Sequence, residues 1–564
     1  GLWLRMDAIE SFAADVAHEI KNPLTSLRSA VETTARLKDP KQQRKMMTII
    51  QEDVVRLDRL ISDVSDASRL DAELSRAETE PVDIGAMLEI LVDLQNTTFD
   101  NTNGGTPRIH LEGRALDDEP LIDLRRGCRA ELDGERLTLQ AAEADPVLVE
   151  PRFVIAADGA NSGLRDAAGI DMTGPVLANM GSVFFHAPQL YPDGASRPLL
   201  SWIYHPRFSG VMIAHADDDY VLMTPYLHAA QSIASDSRTY WNRVLPEVIG
   251  STAYRIRSTG TWTMTKQIAD RFRRDTLLLI GDAAHRFPHT GGFGLNSGVQ
   301  DAHNLAWKLA AILRDGASES LLDTYESERR PVVTRFAEQS TNNHFRLDDV
   351  TEPLGITNRS LHTATEIIGK LPVNWLPDSV IARVADALTG AQMSRTRGLL
   401  RQTARSTRLR ARMSAAIPGQ EEHFVASGLE FGYAYAGPLI DTAEGRCPDG
   451  DVALYHPTTQ PGARLPHAIV RDQEGREVST HDVIARRGLT VFTADAHGWT
   501  DALNGTSVSV PLTVVALTST TGEGRSAVEL FEVGDRGAVV VRPDGHVVWR
   551  SRIGPSEADR LRTF

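Results

Sequence analysis

Two cysteines, Cys128 and Cys447, serve 564 residues, and no C-x-x-C occurs. A disulfide framework, a zinc site and a dithiol redox pair are therefore not expected. Long apolar runs are missing too: no stretch approaches the ~20 residues that a membrane-spanning helix needs. The opening residues lack the pattern of a secretory leader. Positive charge is in deficit. Against 60 Lys and Arg stand 75 Asp and Glu, a formal net charge of −15. That balance argues against a nucleic-acid surface and fits a solvated, cytoplasmic protein. The chain opens on Gly1 rather than Met, as a trimmed chain or a fragment would.

What is present suits a soluble globular chain, with 41% apolar and 24% charged residues. At roughly 150 residues per domain the length leaves room for several domains. One stretch concentrates the chemistry: Thr276–Leu309, TLLLIGDAAHRFPHTGGFGLNSGVQDAHNLAWKL. Thr276–Ile280 is apolar and reads as a short buried strand that ends at Gly281-Asp282. A loop with Pro288, Gly291, Gly292 and Gly294 follows. Asn296 then stands where a helix cap belongs, ahead of Val299, Ala302, Leu305, Ala306 and Leu309 at helical spacing. Gly316 is a fitting stop. Glycine lets backbone approach a ligand closely, and a helix start offers N–H groups to an electron-rich group. Asp282, at the carboxyl end of a strand, can accept hydrogen bonds from sugar-like hydroxyls. An ordinary strand–loop–helix turn has the same spacing.

The full pattern is G-D-A-A-H, then P-x-x-G-G-x-G-x-N, then D-A-x-N-L-A-W-K-L. It resembles the GD motif of FAD-dependent aromatic hydroxylases, the flavin monooxygenases related to phenol and para-hydroxybenzoate hydroxylases. The resemblance implies that Asp282, in its turn with Gly281, binds the flavin ribityl chain. It implies that Pro288, Gly291, Gly292 and Gly294 lie along the isoalloxazine. Leu295 and Asn296 then begin a helix facing the pyrimidine side of the ring. Upstream, Phe153–Ala157 reads as a buried strand ending at Asp158-Gly159. A-D-G-A-N-S-G-L-R, residues 157–165, resembles the DG motif of the same family; a plain turn is the alternative for D-G alone. By that resemblance Asp158 and Gly159 lie near the FAD pyrophosphate, with Arg165 in the same motif. The DG motif is also tied to NADPH or NADH use. Strand-like segments over 175–270 are expected to form a mixed sheet walling the site of a phenolic substrate. Trp202, Tyr204, Met212, Met223, Tyr226 and Trp262 are apolar enough to line it, or to be core. Y-E-S-E-R-R-P, residues 325–331, resembles a further family segment with a structural role.

The first 80 residues read differently. Ile9, Ala13, Val16, Ile20, Leu24, Leu27 and Val31 form one apolar stripe. Ile50, Val54, Leu57, Ile61 and Val64 form a second, with Asp39-Pro40 between them. A helical hairpin results whose stripes call for partners, so a homodimer forming a four-helix bundle is expected. His18 lies off the stripe, and Pro23 should bend the helix just below it. F-x-x-D-V-A-H-E-I-K-N-P-L-T-S-L resembles the dimerisation and phosphoacceptor module of sensor histidine kinases. By that resemblance His18 accepts phosphate, Glu19 acts as base, Asn22 positions the phosphoryl group, and a response regulator is a possible partner. The Asn-rich helix and D-x-G-x-G loop of a kinase ATP-binding domain do not follow. Nor does the hydroxylases' opening G-x-G-x-x-G unit, which cradles the FAD pyrophosphate, occur anywhere.

The expected fold is therefore multidomain. Residues 1–80 form the α-helical hairpin and 81–113 a linker. Residues 114–345 form an α/β FAD-binding domain, truncated at its start, with the mixed-sheet substrate domain. Residues 346–436 are helical. Residues 437–564 resemble the thioredoxin-like α/β C-terminal domain of the phenol-hydroxylase branch, where R-P-D-G-H reads as a tight hairpin turn. The expected function is FAD- and NAD(P)H-dependent hydroxylation of an aromatic ring. Phosphotransfer through His18 is the alternative.

Overall fold

The computed structural model describes Arg125 and residues 127–563, apart from gaps at 135, 142–144, 192–196, 371–377, 449, 473–474, 505–509 and 518–526. The hairpin expected over 1–80, with His18, Glu19 and Asn22, and the linker expected over 81–113 lie outside the described residues.

A meander of β1 (Cys128–Asp133), β2 (Arg136–Ala141) and β3 (Val147–Val149) comes first. Strand β4 (Val154–Ala156) and the short helix α1 (Gly163–Ala167) follow. Next comes a five-stranded sheet. Its strands are β5 (Val176–His186), β6 (Leu200–His205), β7 (Phe208–Ala214), β8 (Asp219–Tyr226) and β9 (Arg255–Thr265), in the order β9-β5-β8-β7-β6. Every pairing in it is antiparallel, not mixed as expected. The links between β6, β7 and β8 are too short for the crossover that parallel neighbours need. Helix α2 (Ser237–Ile249) packs Trp241, Val244 and Leu245 against one face of this sheet.

Strand β10 (Leu277–Leu279) then returns beside β4 as its parallel neighbour, with Arg273–Arg274 on its other side. All three leucines are buried, as a strand covered on both faces requires. Helix α3 (Phe293–Asp315) ends at Gly316, whose φ of 74° gives the left-handed stop expected there. Helix α4 (Asp323–Thr351) runs straight across the 345/346 boundary drawn from motifs. Helices α5 (Asn358–Lys370), α6 (Asp378–Ser394) and α7 (Ala404–Ala416) complete the helical part.

The C-terminal part holds β11 (Leu489–Thr493), α8 (Ala496–Asn504), β12 (Leu512–Ala516), α9 (Ala527–Phe531), β13 (Ala538–Val541) and β14 (Val547–Ser551). The sheet order is β12-β11-β13-β14, with β11 and β12 parallel and the other pairs antiparallel. The turn between β13 and β14 closes as expected, Arg542 N–H donating to the His546 carbonyl at 3.0 Å. One apolar core joins this part to the helices: Phe293, Val332 and Phe336 pack with Leu429, Trp499, Val540 and Trp549.

Candidate functional site

Strands β4 and β10 run in register, Val154 opposite Leu277 and Ala156 opposite Leu279. Their carboxyl ends open on one edge, the place where α/β sheets bind ligands. Asp158-Gly159 leaves β4 there, and Gly281-Asp282 leaves β10. Ile280 N–H donates to the Ala156 carbonyl at 3.1 Å and keeps the two exits together.

The Asp158 carboxylate is committed locally. It accepts from Ser162 Oγ at 2.5 Å and from the Leu164 N–H at 3.2 Å. Ser162 in turn caps α1 by accepting from Arg165 N–H at 3.0 Å. Gly159 takes a φ of 79°, which a side chain would resist. Arg165 is 5% exposed. Its guanidinium pairs with Asp166 at 2.9 Å and donates to the carbonyls of Ala160 (3.2 Å) and Ala283 (3.4 Å). That last bond ties the first motif to the turn of the second.

Gly281 lies against α3. A Cβ on Gly298 would come within 3.2 Å of the Gly281 Cα, so small residues on both sides let the turn touch the helix. Asp282 is open to solvent and has no hydrogen-bond partner among the described residues. Desolvation by the surrounding protein lifts its pKa above the ordinary carboxylate value, against the pull of His285 and Arg286. Pro288 is buried, and its carbonyl accepts from Ser340 Oγ of α4. Thr290 Oγ1 donates to the Ser340 carbonyl at 2.6 Å and closes the same contact. Gly291 and Gly292 have φ of 102° and 70°. A Cβ on Gly291 would meet the Phe293 ring at 2.5 Å. Gly292, not Asn296, is the N-cap of α3. The left-handed glycine stops the chain early, so Gly294, Leu295 and Asn296 fall inside the first turn. Asn296 there donates its Nδ2 to the Gly292 carbonyl at 2.9 Å.

Sequence periodicity put Val299, Ala302, Leu305, Ala306 and Leu309 on the buried stripe of α3. Leu305 and Leu309 are buried, but Ala302 and Ala306 are exposed. The buried face carries Ser297, Asp301, Asn304 and Lys308 instead. Each has a partner. Asp301 Oδ2 accepts from Gly281 N–H at 3.1 Å and bonds His285 Nε2 at 2.6 Å. Its Oδ1 accepts from Arg329 Nε of α4 at 2.8 Å. Burial alone would raise the Asp301 pKa; His285 and Arg329 outweigh it and hold the carboxyl below its ordinary value. Lys308 Nζ donates to Glu328 at 2.8 Å, and Arg542 of the β13–β14 turn grips the same carboxylate at 2.6 and 2.7 Å. Arg542 also holds Asp544, which accepts from Trp307 Nε1 of α3 at 3.2 Å. Two cations and two anions thus close a buried, neutral set. His285 and Asp301 stand inside the G-D-A-A-H and D-A-x-N-L patterns, and Glu328 and Arg329 inside Y-E-S-E-R-R-P. Their pairing is a tertiary fact that spacing does not carry.

Of the six candidate wall residues, four share one face of the antiparallel sheet. Trp202 lies opposite Val211, which lies opposite Met223, and Trp262 packs in one cluster with Val211, Met223 and Phe345 of α4. Tyr204 alternates with Trp202 onto that face. Met212 and Tyr226 point the other way, into the core beneath α2. An open groove of about 1410 Å³ lies elsewhere, between α4, residues 270–275 and Arg446; Glu326, Ser327, Arg330 and Pro331 of Y-E-S-E-R-R-P line it, and none of the candidate cofactor residues does. Among the described residues no His, Cys, Asp and Glu group could hold a metal, and no helix is long and apolar enough to cross a membrane.

Comparison with known proteins gives this site its class. A family described as "FAD binding domain" matches residues 126–340, and one described as "Aromatic-ring hydroxylase, C-terminal" matches 458–564. A third, "His Kinase A (phospho-acceptor) domain", matches residues 8–73. The 2,4-dichlorophenol 6-monooxygenase of Cupriavidus pinatubonensis is 30% identical over 458 residues, which is 76% of this chain and 69% of that protein. The solved structure of the flavin-dependent monooxygenase PieE, in complex with FAD and substrate, is 26% identical. It has a TM-score of 0.60, covering 77% of this chain and 73% of that one. The chain belongs to the FAD-dependent aromatic-ring hydroxylases. Its first part is of another origin: 93 residues are 62% identical to the sensor protein ChvG of Agrobacterium fabrum, 16% of each chain. The chain joins the two families in one polypeptide. The residues present suit the ring and ribityl half of a flavin: the open Asp282, the left-handed glycine loop, and the Gly281–Gly298 contact that a Cβ would crowd.

Proposed function

We propose that this chain is an FAD-dependent monooxygenase that hydroxylates a phenolic ring with NADPH or NADH and dioxygen. One observation carries the proposal: two motifs converge on one sheet edge, and Arg165 of the first donates to Ala283 of the second. In this reading Asp282 accepts hydrogen bonds from the ribityl hydroxyls. Gly281, Pro288, Gly291, Gly292 and Gly294 form a bed of backbone beside the ring. Leu295 and Asn296 bring the start of α3 to its pyrimidine side. Asp158, Gly159 and Arg165 shape the pyrophosphate end; Asp158 and Arg165 act through the turn they hold, since their charges already have partners. Bound flavin would supply the redox chemistry of a hydroxylation in which the nicotinamide gives two electrons, the ring gains one atom of dioxygen and the other leaves as water.

The division at 114–345, 346–436 and 437–564 belongs to the same proposal. So does a thioredoxin-like C-terminal domain, supported by the β12-β11-β13-β14 order with its single parallel pair. Without a C-x-x-C its role is packing. The test is to titrate the purified full chain with FAD and to follow NAD(P)H oxidation with simple phenols. Flavin uptake that weakens about tenfold or more in Asp282→Ala supports the reading. A colourless protein that takes up no added FAD overturns it.

The identity with ChvG favours a second reading for residues 1–80. There His18 is a phosphoacceptor with Glu19 and Asn22 beside it, in a homodimeric hairpin that hands phosphate to a response regulator. A separate kinase ATP-binding domain should then label the chain and fail to label His18→Gln. Equal labelling of both removes this reading.

A further inference from the structure

The surface from α6 to Phe424 departs from the rest of the chain in charge. Residues 387–420 hold seven arginines and no Asp or Glu, in a chain whose net charge is −15. All seven are exposed. Two are committed to backbone: Arg395 donates to the Gly355 carbonyl, and Arg410 of α7 donates to the Leu399 carbonyl at 2.7 Å. The guanidinium groups of Arg397, Arg401, Arg405, Arg408 and Arg412 have neither a hydrogen bond nor an ion pair among the described residues. On α7, Arg405, Arg408 and Arg412 follow one another at steps of three and four residues along one side, while Ser406 turns inward.

The same surface exposes apolar side chains. Helix α6 buries Ile381 and Ala385, and Ala385 packs with Leu227 and Leu361. The outer side of such a helix is ordinarily polar. Here it carries Val380, Val384 and Leu388 at four-residue steps, 39 to 54% exposed. Leu400, Ile417 and Phe424 are more open still, at 58 to 67%. These residues gather about one sheet edge. Strand β6 is the outer strand of the five-stranded sheet; α6 and the turn 395–400 both contact it, and its Trp202 meets Phe424 edge-on at 6.2 Å. Leu400 adjoins Arg401, and Ile417 follows the last residue of α7.

We propose that this face binds peripherally to an anionic lipid bilayer. The unpaired arginines meet headgroup phosphates, which their planar forks match, and the exposed apolar side chains enter the headgroup–acyl boundary. Charge selects an anionic partner. The apolar side chains select a bilayer over a nucleic acid, whose phosphates would satisfy the arginines and leave Leu400, Ile417 and the outer side of α6 in water. Such binding lies on the membrane and asks for no spanning helix. The inference is independent of the hydroxylase reading, since none of these residues belongs to the flavin motifs.

The test is co-sedimentation of the full chain with vesicles of equal parts phosphatidylcholine and phosphatidylglycerol, and with vesicles of phosphatidylcholine alone. The chain should sediment with the anionic vesicles only, and less so as salt rises. Each arginine near an anionic surface strengthens binding about fivefold, so Arg405→Ala, Arg408→Ala and Arg412→Ala together should weaken it about a hundredfold. The same three positions changed to Lys keep the charge and should keep most of the binding, which a general loss of folding would not allow. Leu400→Gln with Ile417→Gln leaves the charge untouched and should weaken binding about tenfold or more. No sedimentation with anionic vesicles, or equal sedimentation with both kinds, overturns the inference. So does an alanine variant that sediments like the parent, because another part of the chain then does the binding. If the arginines matter while Leu400→Gln with Ile417→Gln changes nothing, and duplex DNA displaces the vesicles, the face is a site for soluble polyanions and the bilayer inference fails.

Discussion

Glu430 sits in the short helix Ser427–Phe431, and burial alone lifts its pKa to about 7. Glu328 is more deeply buried, at 1% exposed, yet lies at about 2, because Arg542 and then Lys308 outweigh the cost of burial. The difference between the two carboxyls is the presence of a partner. Its sign can be worked out. Below the ordinary carboxyl value Glu430 is protonated in both the folded and the unfolded chain. As pH rises the unfolded chain releases the proton first. Above about 7 the folded chain must bury a charge. Stability is therefore lost as pH rises through that window. Glu430→Gln, which is neutral throughout, should raise the melting temperature at about pH 8 and leave it almost unchanged at about pH 4.5. An equal gain at both pH values would show that something other than titration is at work.

At the scale of elements, Asp301 ties together the strand–turn–helix of the second motif. One carboxylate takes Gly281 N–H, His285 Nε2 and Arg329 Nε. Asp301→Asn keeps the shape but removes the charge that two of those donors face. It should cost about 3–5 kcal/mol of stability, as breaking a buried pair does. FAD affinity, read well below the melting point, should also fall, because Asp282 rides on the turn that Gly281 anchors. Unchanged affinity in folded protein would leave Asp301 with stability alone. How much of this was legible in the sequence follows from the same residues. The strand Leu277–Leu279, the glycine loop and the stop at Gly316 are local: a leucine run, left-handed φ and a missing Cβ are written in adjacent residues. The helix start was missed by four residues, since Asn296 is the better cap by side chain and Gly292 wins by backbone conformation. The buried face of α3 was misread for a different reason. Ser297, Asp301, Asn304 and Lys308 count as surface by composition, and only their partners make them core. The all-antiparallel sheet was missed because strand direction follows connection length and pairing, which alternation does not record.

For the whole molecule, the decisive pairing spans 214 positions, from Glu328 in α4 to Arg542 in the β13–β14 turn. Lys308 and Arg542 balance Glu328 and Asp544, all buried, so the C-terminal part supplies one cation and one anion to a set that also contains the helix of the flavin motif. The apolar core crosses the same junction, with Phe293 and Phe336 on one side and Trp499 and Trp549 on the other. Neither part can leave without exposing that core and stranding charge. Arg542→Met should therefore act at a distance. It leaves two buried carboxylates facing one lysine and should cost about 3–5 kcal/mol. Hydrogen exchange of the full chain should show amides of β10 and of β13 losing protection together and by similar amounts. Adding Glu328→Gln should recover part of the loss, because the second change removes the stranded charge instead of a second contact. If β13 loosens while β10 keeps its protection, the two parts are separate folding units, and the junction is a contact between finished domains.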